Sequence, residues 1–221
     1  MKLFRKWIPT MILGATLILS ACSNGQGHSE HHVHQSGSQQ PTQEGANDVS
    51  NLNWMVPAFT YTNQTGQPFS STQLQGKVYL VDFLFTRCPD VCPPLTANMA
   101  KIQQEAKKAG VDLQFISFSV DPTFDKAEQL KTFGDSVKAD YINWNFLTGY
   151  TPEEIQKVGK ETFKQEIKQL TGMKEGEAVT FQHPTTMYLV DGTGKVRKLY
   201  DGMAPNPKQI VEDAKAVISE K

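Results

Sequence analysis

The sequence predicts an α/β domain: a mixed central sheet with helices on both faces, an N-terminal hairpin, and an insertion ahead of a late hairpin. Three observations carry that expectation. KVYLVDFLF, a continuous apolar run with one acid, and DLQFISFSV read as buried central strands. They alternate with segments of helical periodicity, which implies parallel strands joined by crossovers. Near the end, TTMYLVD and KVRKLYDG flank Gly192-Thr193-Gly194, and that hairpin adds antiparallel strands.

The first 21 residues are a targeting signal rather than fold. Lys2, Arg5 and Lys6 precede an apolar stretch that is too short for a membrane span and contains Pro9. The ending Leu19-Ser20-Ala21-Cys22 looks like a bacterial lipobox, implying cleavage before Cys22 and lipid on that residue. An ordinary secretory signal with an unmodified Cys22, or an uncleaved anchor, is the alternative. Either way the chain works outside the cytoplasm, and the lipobox puts it on the outer face of the cytoplasmic membrane, where thiols are not held reduced.

Residues 22–51 are rich in Ser, Gln, Gly and Asn and bury too little to fold, so they form a disordered tether. Within it, HSEHHVH carries His28, His31, His32 and His34. Such a tract captures Cu(II) or Zn(II) loosely, unless it is only a polar spacer.

The folded domain runs from 52 to 221. AFTYTNQTGQPFS turns at Asn63-Gln64-Thr65-Gly66 as a hairpin, and KVYLVDFLF follows. Leu95, Met99, Ile102 and Ala106 recur at helical spacing until Gly110. After DLQFISFSV, DKAEQLKTF is a helix, and TPEEIQKVGKETF opens another with a Thr151–Glu154 capping box and Pro152 at its first position. NPKQIVEDAKAVI closes the chain as a helix capped by Asn206. A net charge of −1 and the lack of a basic stripe give no reason to expect nucleic acid, and one core of this size suits a monomer.

The chemistry centres on FTRCPDVCPPLT. With only Cys22, Cys88 and Cys92 in the chain, no disulfide framework exists, and the pair reads as a redox dithiol, two metal ligands or a structural staple. A staple closing so short a loop gains little. Pro93 and Pro94 disfavour helix before them, so Cys88 lies in a loop and Cys92 at a helix entrance, where the helix N-terminus is expected to lower a thiol pKa.

LVDFLFTRC is similar to the entry into the thioredoxin active site, and HPTTMYLVD to the segment bearing that superfamily's cis-proline. That resemblance implies a thioredoxin-like fold in which His183, before Pro184, lies beside Cys88 and Cys92; otherwise His183 is a buried hydrogen-bonded histidine. Two thiolates and an imidazole suit copper, with thiolate softness favouring Cu(I). Asp82 is either a strand carboxylate needing a partner or an acceptor for a thiol proton, as the matching acid of thioredoxins is thought to be.

Taken together, FTRCPDVCPPLT, FSVDPTFD, WNFLTGY and FQHPTTMYLVDGTGKV resemble the Sco/SenC family of copper proteins. The resemblance implies Cys88, Cys92 and His183 as ligands of copper, Cu(I) or Cu(II), delivered to the dinuclear centre of cytochrome c oxidase subunit II. Asp121 would lie near the site and tune it, or be a strand-end turn residue ahead of Pro122. Pro184 departs from the small polar residue common at that position. The stretch KQEIKQLTGMKEGEAVTFQ matches the family's insertion, expected as a mobile hairpin or loop ending at His183. The alternatives are a thiol–disulfide oxidoreductase that reduces the oxidase cysteines with Cys88 and Cys92, and a redox or copper sensor.

Overall fold

The computed structural model describes residues 47–172 and 178–220. The expectations for residues 1–46, among them the signal, Cys22 and the histidines of the tether, lie outside the described residues. Among those described, no helix is long and apolar enough to cross a membrane.

The chain builds β1 (Asn47–Asp48), the hairpin β2 (Thr60–Asn63) and β3 (Pro68–Ser70), then β4 (Val78–Leu84), α1 (Cys92–Lys108), β5 (Leu113–Ser119) and α2 (Ala127–Ser136). β6 (Trp144–Thr148) and α3 (Pro152–Lys157) follow, with a π-helical turn at Val158–Thr162. β7 (Lys168–Thr171), β8 (Thr180–Gln182), β9 (Thr186–Val190), β10 (Val196–Asp201) and α4 (Pro207–Ser219) complete it. The main sheet has the order β1-β10-β9-β4-β5-β6-β2-β3, while β7 and β8 form a separate ribbon. β4, β5 and β6 run parallel, and β9 joins β4 antiparallel, so the sheet is mixed as expected. This is the thioredoxin-like arrangement.

Every residue of β4 is buried, which is what a continuous apolar run at the centre of a sheet requires. Strand alternation sends Phe83 to one face, where it packs with Phe118, Phe163 and Tyr188. Asp82 therefore points to the opposite face, towards α1. Leu95, Met99, Ile102 and Ala106 of α1 are fully buried, and Gly110 adopts φ +67 just past the helix end. The Thr151–Glu154 capping box forms, with Thr151 N donating to Glu154 Oε2 at 2.6 Å and Glu154 N to Thr151 Oγ1 at 3.2 Å. Asn206 caps α4 through Gln209 N at 3.2 Å.

Two elements differ from expectation. The sheet starts before the boundary at 51/52, because Asn47 and Asp48 pair with Leu199 and Lys198. That pairing uses backbone groups alone, so polar side chains gave no hint of it. WNFLT, unassigned from sequence, is the parallel strand β6, with Trp144 and Phe146 buried in the core.

The loop after β10 is moulded onto the elements around the cysteines. Gly202 N donates to Thr185 O at 3.0 Å, and Asn98 of α1 donates to the carbonyls of Gly202 and Met203 at 3.0 and 3.2 Å. A Cβ on Gly202 would lie 2.3 Å from Thr185 O and 2.4 Å from Leu95 Cδ1. Gly202→Ala is expected to destabilise the domain by about 1–3 kcal/mol, seen as a lower melting temperature; an unchanged melt would contradict this packing.

Candidate metal centre

Cys88 and Cys92 are both free thiols, and both are buried. α1 begins at Cys92 with no side-chain cap at Val91. Helices start with amide groups that lack internal partners, but Pro93 and Pro94 have no N–H to satisfy. The Cys92 amide is thus the outstanding donor of that first stretch, and the Cys88 sulfur accepts it at 3.4 Å. The prolines that keep helix from reaching back to Cys88 also leave one amide aimed at its sulfur.

His183 arrives from the end of the β7–β8 ribbon, so the insertion is a hairpin as expected, although residues 173–177 lie outside the described residues. Its Nε2 is 3.5 Å from Cys92 Sγ and its Nδ1 is 3.0 Å from the Pro184 carbonyl. A carbonyl only accepts, so Nδ1 carries the proton and Nε2 presents its lone pair to the sulfur. Burial lowers the His183 pKa below its ordinary 6.5, against the pull of that carbonyl, which keeps the ring neutral. Cys92 behaves oppositely to the expectation from its helix position. Burial pushes its thiol pKa up, the Phe85 backbone works the other way, and the nearby Cys88 and Asp82 raise it further. Cys92 is wholly inaccessible, and desolvation of the thiolate outweighs the helix terminus.

Among the described residues no three His, Cys, Asp or Glu side chains already form a closed metal cage. Cys92 and His183 meet, and Cys88 is parked on the Cys92 amide beside them. The set is two sulfurs and one neutral imidazole, a soft donor set that fits copper.

Acids brace the loop from below. Asp121, just past the end of β5, accepts from Arg87 Nε at 3.0 Å and from its terminal nitrogen at 2.5 Å, while the guanidinium lies 4.1 Å over the Phe124 ring. Thus Asp121 is both a strand-end residue and a neighbour of the site, acting on the residue before Cys88. Asp125, given no role from sequence, is the second brace. Its carboxylate accepts from Thr86 N at 3.1 Å, Thr86 Oγ1 at 2.5 Å and Ser119 Oγ at 2.6 Å. The spacing Asp-Pro-x-x-Asp held the signal, but nothing in it named Thr86 as the partner.

Asp82 is fully buried and neither carboxylate oxygen has a hydrogen-bond partner. Burial raises its pKa to about 7, eased only slightly by Ser117, its register partner on β5. The folded pKa exceeds the ordinary 3.8, so the associated stability is complete below pH 3.8 and is lost as pH rises through about 7. The full loss is on the order of 4 kcal/mol. Denaturant unfolding is expected to show the domain more stable at pH 5 than at pH 8, with Asp82→Asn flattening that slope. A wild-type midpoint that rises from pH 5 to 8 would contradict the assignment.

A family model for SCO1/SenC matches residues 47–219. The fold is similar to that of a SCO1/SenC family lipoprotein from Bacillus anthracis, with 46% identity, TM-score 0.67, and coverage of 75% of this chain and 96% of the other. It is also similar to BsSco, described as a member of the Sco family of cytochrome c oxidase assembly proteins with a disulfide switch, at 38% identity and TM-score 0.69, covering 79% and 98%. Bradyrhizobium japonicum ScoI, solved with copper bound, aligns at 26% identity and TM-score 0.63, covering 74% and 99%. The pattern spans β1 to α4 and the same fold recurs in these relatives: the chain belongs to the SCO1/SenC family.

Proposed function

We propose that this protein is a membrane-tethered, extracytoplasmic copper carrier that holds one copper ion on Cys88, Cys92 and His183. It hands the ion to the dinuclear centre of cytochrome c oxidase subunit II. The observation that carries this reading is the 3.5 Å approach of His183 Nε2, its lone pair free, to Cys92 Sγ. With a protonated Cys92 and a neutral His183, the thiol proton is shared with the imidazole. Copper takes the place of that proton, and a small movement of residues 89–91 lets the Cys88 sulfur leave the Cys92 amide and join, its own thiol proton passing to solvent, so that loading releases two protons. Each donor is then a soft or borderline ligand, and transfer proceeds by exchange with the thiols of the receiving site. Copper bound to ScoI and the role of BsSco in oxidase assembly support the cargo and the partner. The lipobox at Cys22 and the B. anthracis lipoprotein support the lipid anchor, which sets the domain on the outer face of the cytoplasmic membrane.

A second reading, reduction of the oxidase cysteines by the same pair, is favoured by both cysteines being free thiols and by the disulfide switch described for BsSco. A pair that binds copper when reduced can also donate electrons when it closes to a disulfide. His183 separates the two, since thiol exchange does not require it.

Copper titration of the reduced chain, with His28, His31, His32 and His34 replaced by glutamine, is expected to show one site. His183→Ala is expected to weaken it by about tenfold or more while leaving the rate of thiol–disulfide exchange little changed. Equal affinity in the two proteins would overturn the carrier reading. Because Cys92 must lose its proton, apparent affinity is expected to fall by at least about tenfold per unit as pH drops from 8 to 7. A pH-independent affinity in that window would contradict replacement of a proton by the metal.

A further inference from the structure

The three donors come from three separate pieces of chain: a loop, the start of α1 and the end of the β7–β8 ribbon. One residue joins the cysteine loop to the ribbon. Phe85 ends the central apolar run, and its side chain is 2% exposed. Its carbonyl accepts the Cys88 amide at 3.2 Å. Its ring stands perpendicular to the His183 imidazole, at 89° with centroids 5.7 Å apart, and packs edge-on against Phe181 of β8 at 5.1 Å and 61°. These separations and angles are those of favourable T-shaped pairs.

We infer that Phe85 is a positioning residue of this centre, the aromatic wall that fixes the azimuth of the His183 ring and so aims Nε2 at Cys92. The inference rests on the copper reading of the site and adds to it the element that assembles the ligands. The Pro184 carbonyl ties only Nδ1, and a single hydrogen bond leaves the ring free to swing about that contact. Phe85 blocks the swing from one side. Phe181, next but one to His183, is held by the same ring, so the ribbon that delivers the histidine docks on the strand that delivers the cysteines. An aliphatic side chain of similar volume would fill the space but would lack the flat face that selects one imidazole orientation.

The test compares wild type with Phe85→Leu, His183→Ala, the double variant and Phe115→Leu. Phe115 is equally buried but packs on Trp144, away from the centre, and so controls for loss of core volume. All are made in the full chain with the four tether histidines replaced. In the metal-free reduced protein, the ring-nitrogen (15N) resonances of His183, which report its hydrogen bonds and are nearly insensitive to a lost aromatic ring current, are expected to move towards free-imidazole positions in Phe85→Leu and to stay in place in Phe115→Leu. Copper affinity should drop about tenfold or more in Phe85→Leu, and the double variant should be no weaker than His183→Ala alone. Unmoved His183 resonances, or losses that simply add in the double variant, would overturn the inference. If Phe85→Leu does not fold, Phe85→Met is measured in its place with the same expected outcomes. Should wild type bind no copper, the carrier reading fails, while the metal-free resonances still decide the role of Phe85.

Discussion

The site depends on how α1 begins. Two consecutive prolines remove two of the amides that a helix start would otherwise leave open, and the remaining one, at Cys92, is taken by the Cys88 sulfur. That contact ties the Cys88 sulfur to the helix start, while the prolines keep Cys88 itself out of the helix. The acids after β5 then make the arrangement rigid: Asp125 holds Thr86 and Asp121 holds Arg87, so the two residues ahead of Cys88 have no freedom of their own. Only the stretch from Pro89 to Val91 is left to adjust, and that is the stretch that must move if Cys88 is to join a metal.

Electrostatics favours a site that is neutral when empty. Burial keeps Cys92 protonated and His183 unprotonated, and both effects have the same cause, the cost of a charge under the apolar cover of Phe85 and its neighbours. Asp82, buried without a partner on the α1 side of the sheet, extends the pattern. A divalent copper ion bound by two thiolates and a neutral imidazole carries no net charge, and a monovalent one leaves a single negative charge spread over two sulfurs, less than the two that bare thiolates would bring. The environment that suppresses free thiolate therefore opposes the proposed complex less than it opposes the bare thiolates.

Much of this was legible in the sequence, and the omissions have physical reasons. The buried strands, the capping box and the helix start at Cys92 follow from apolar runs, Thr151–Glu154 and Pro93-Pro94, each a local rule. β1 escaped notice because an edge strand of Asn and Asp pairs through backbone alone, and β6 because five residues of mixed polarity do not distinguish strand from loop. The raised Cys92 pKa escaped for a different reason: the helix terminus is visible in sequence, whereas the burial that outweighs it comes from tertiary packing with residues as distant as His183. Asp125 stood in plain view within Asp-Pro-x-x-Asp, but its partner Thr86 lies 39 positions earlier and is brought to it only by the pairing of β4 with β5. The meeting of His183 with Cys92 is likewise tertiary, and only the family resemblance pointed to it.

In the proposed complex the bound ion sits on two sulfurs and the Nε2 of one imidazole. X-ray absorption of the copper-loaded chain, with the tether histidines replaced, reads those ligands. A first coordination sphere with two sulfur scatterers and one imidazole is expected, the imidazole contribution vanishing in His183→Ala. A sphere made only of nitrogen and oxygen, or one unchanged by loss of His183, would contradict it.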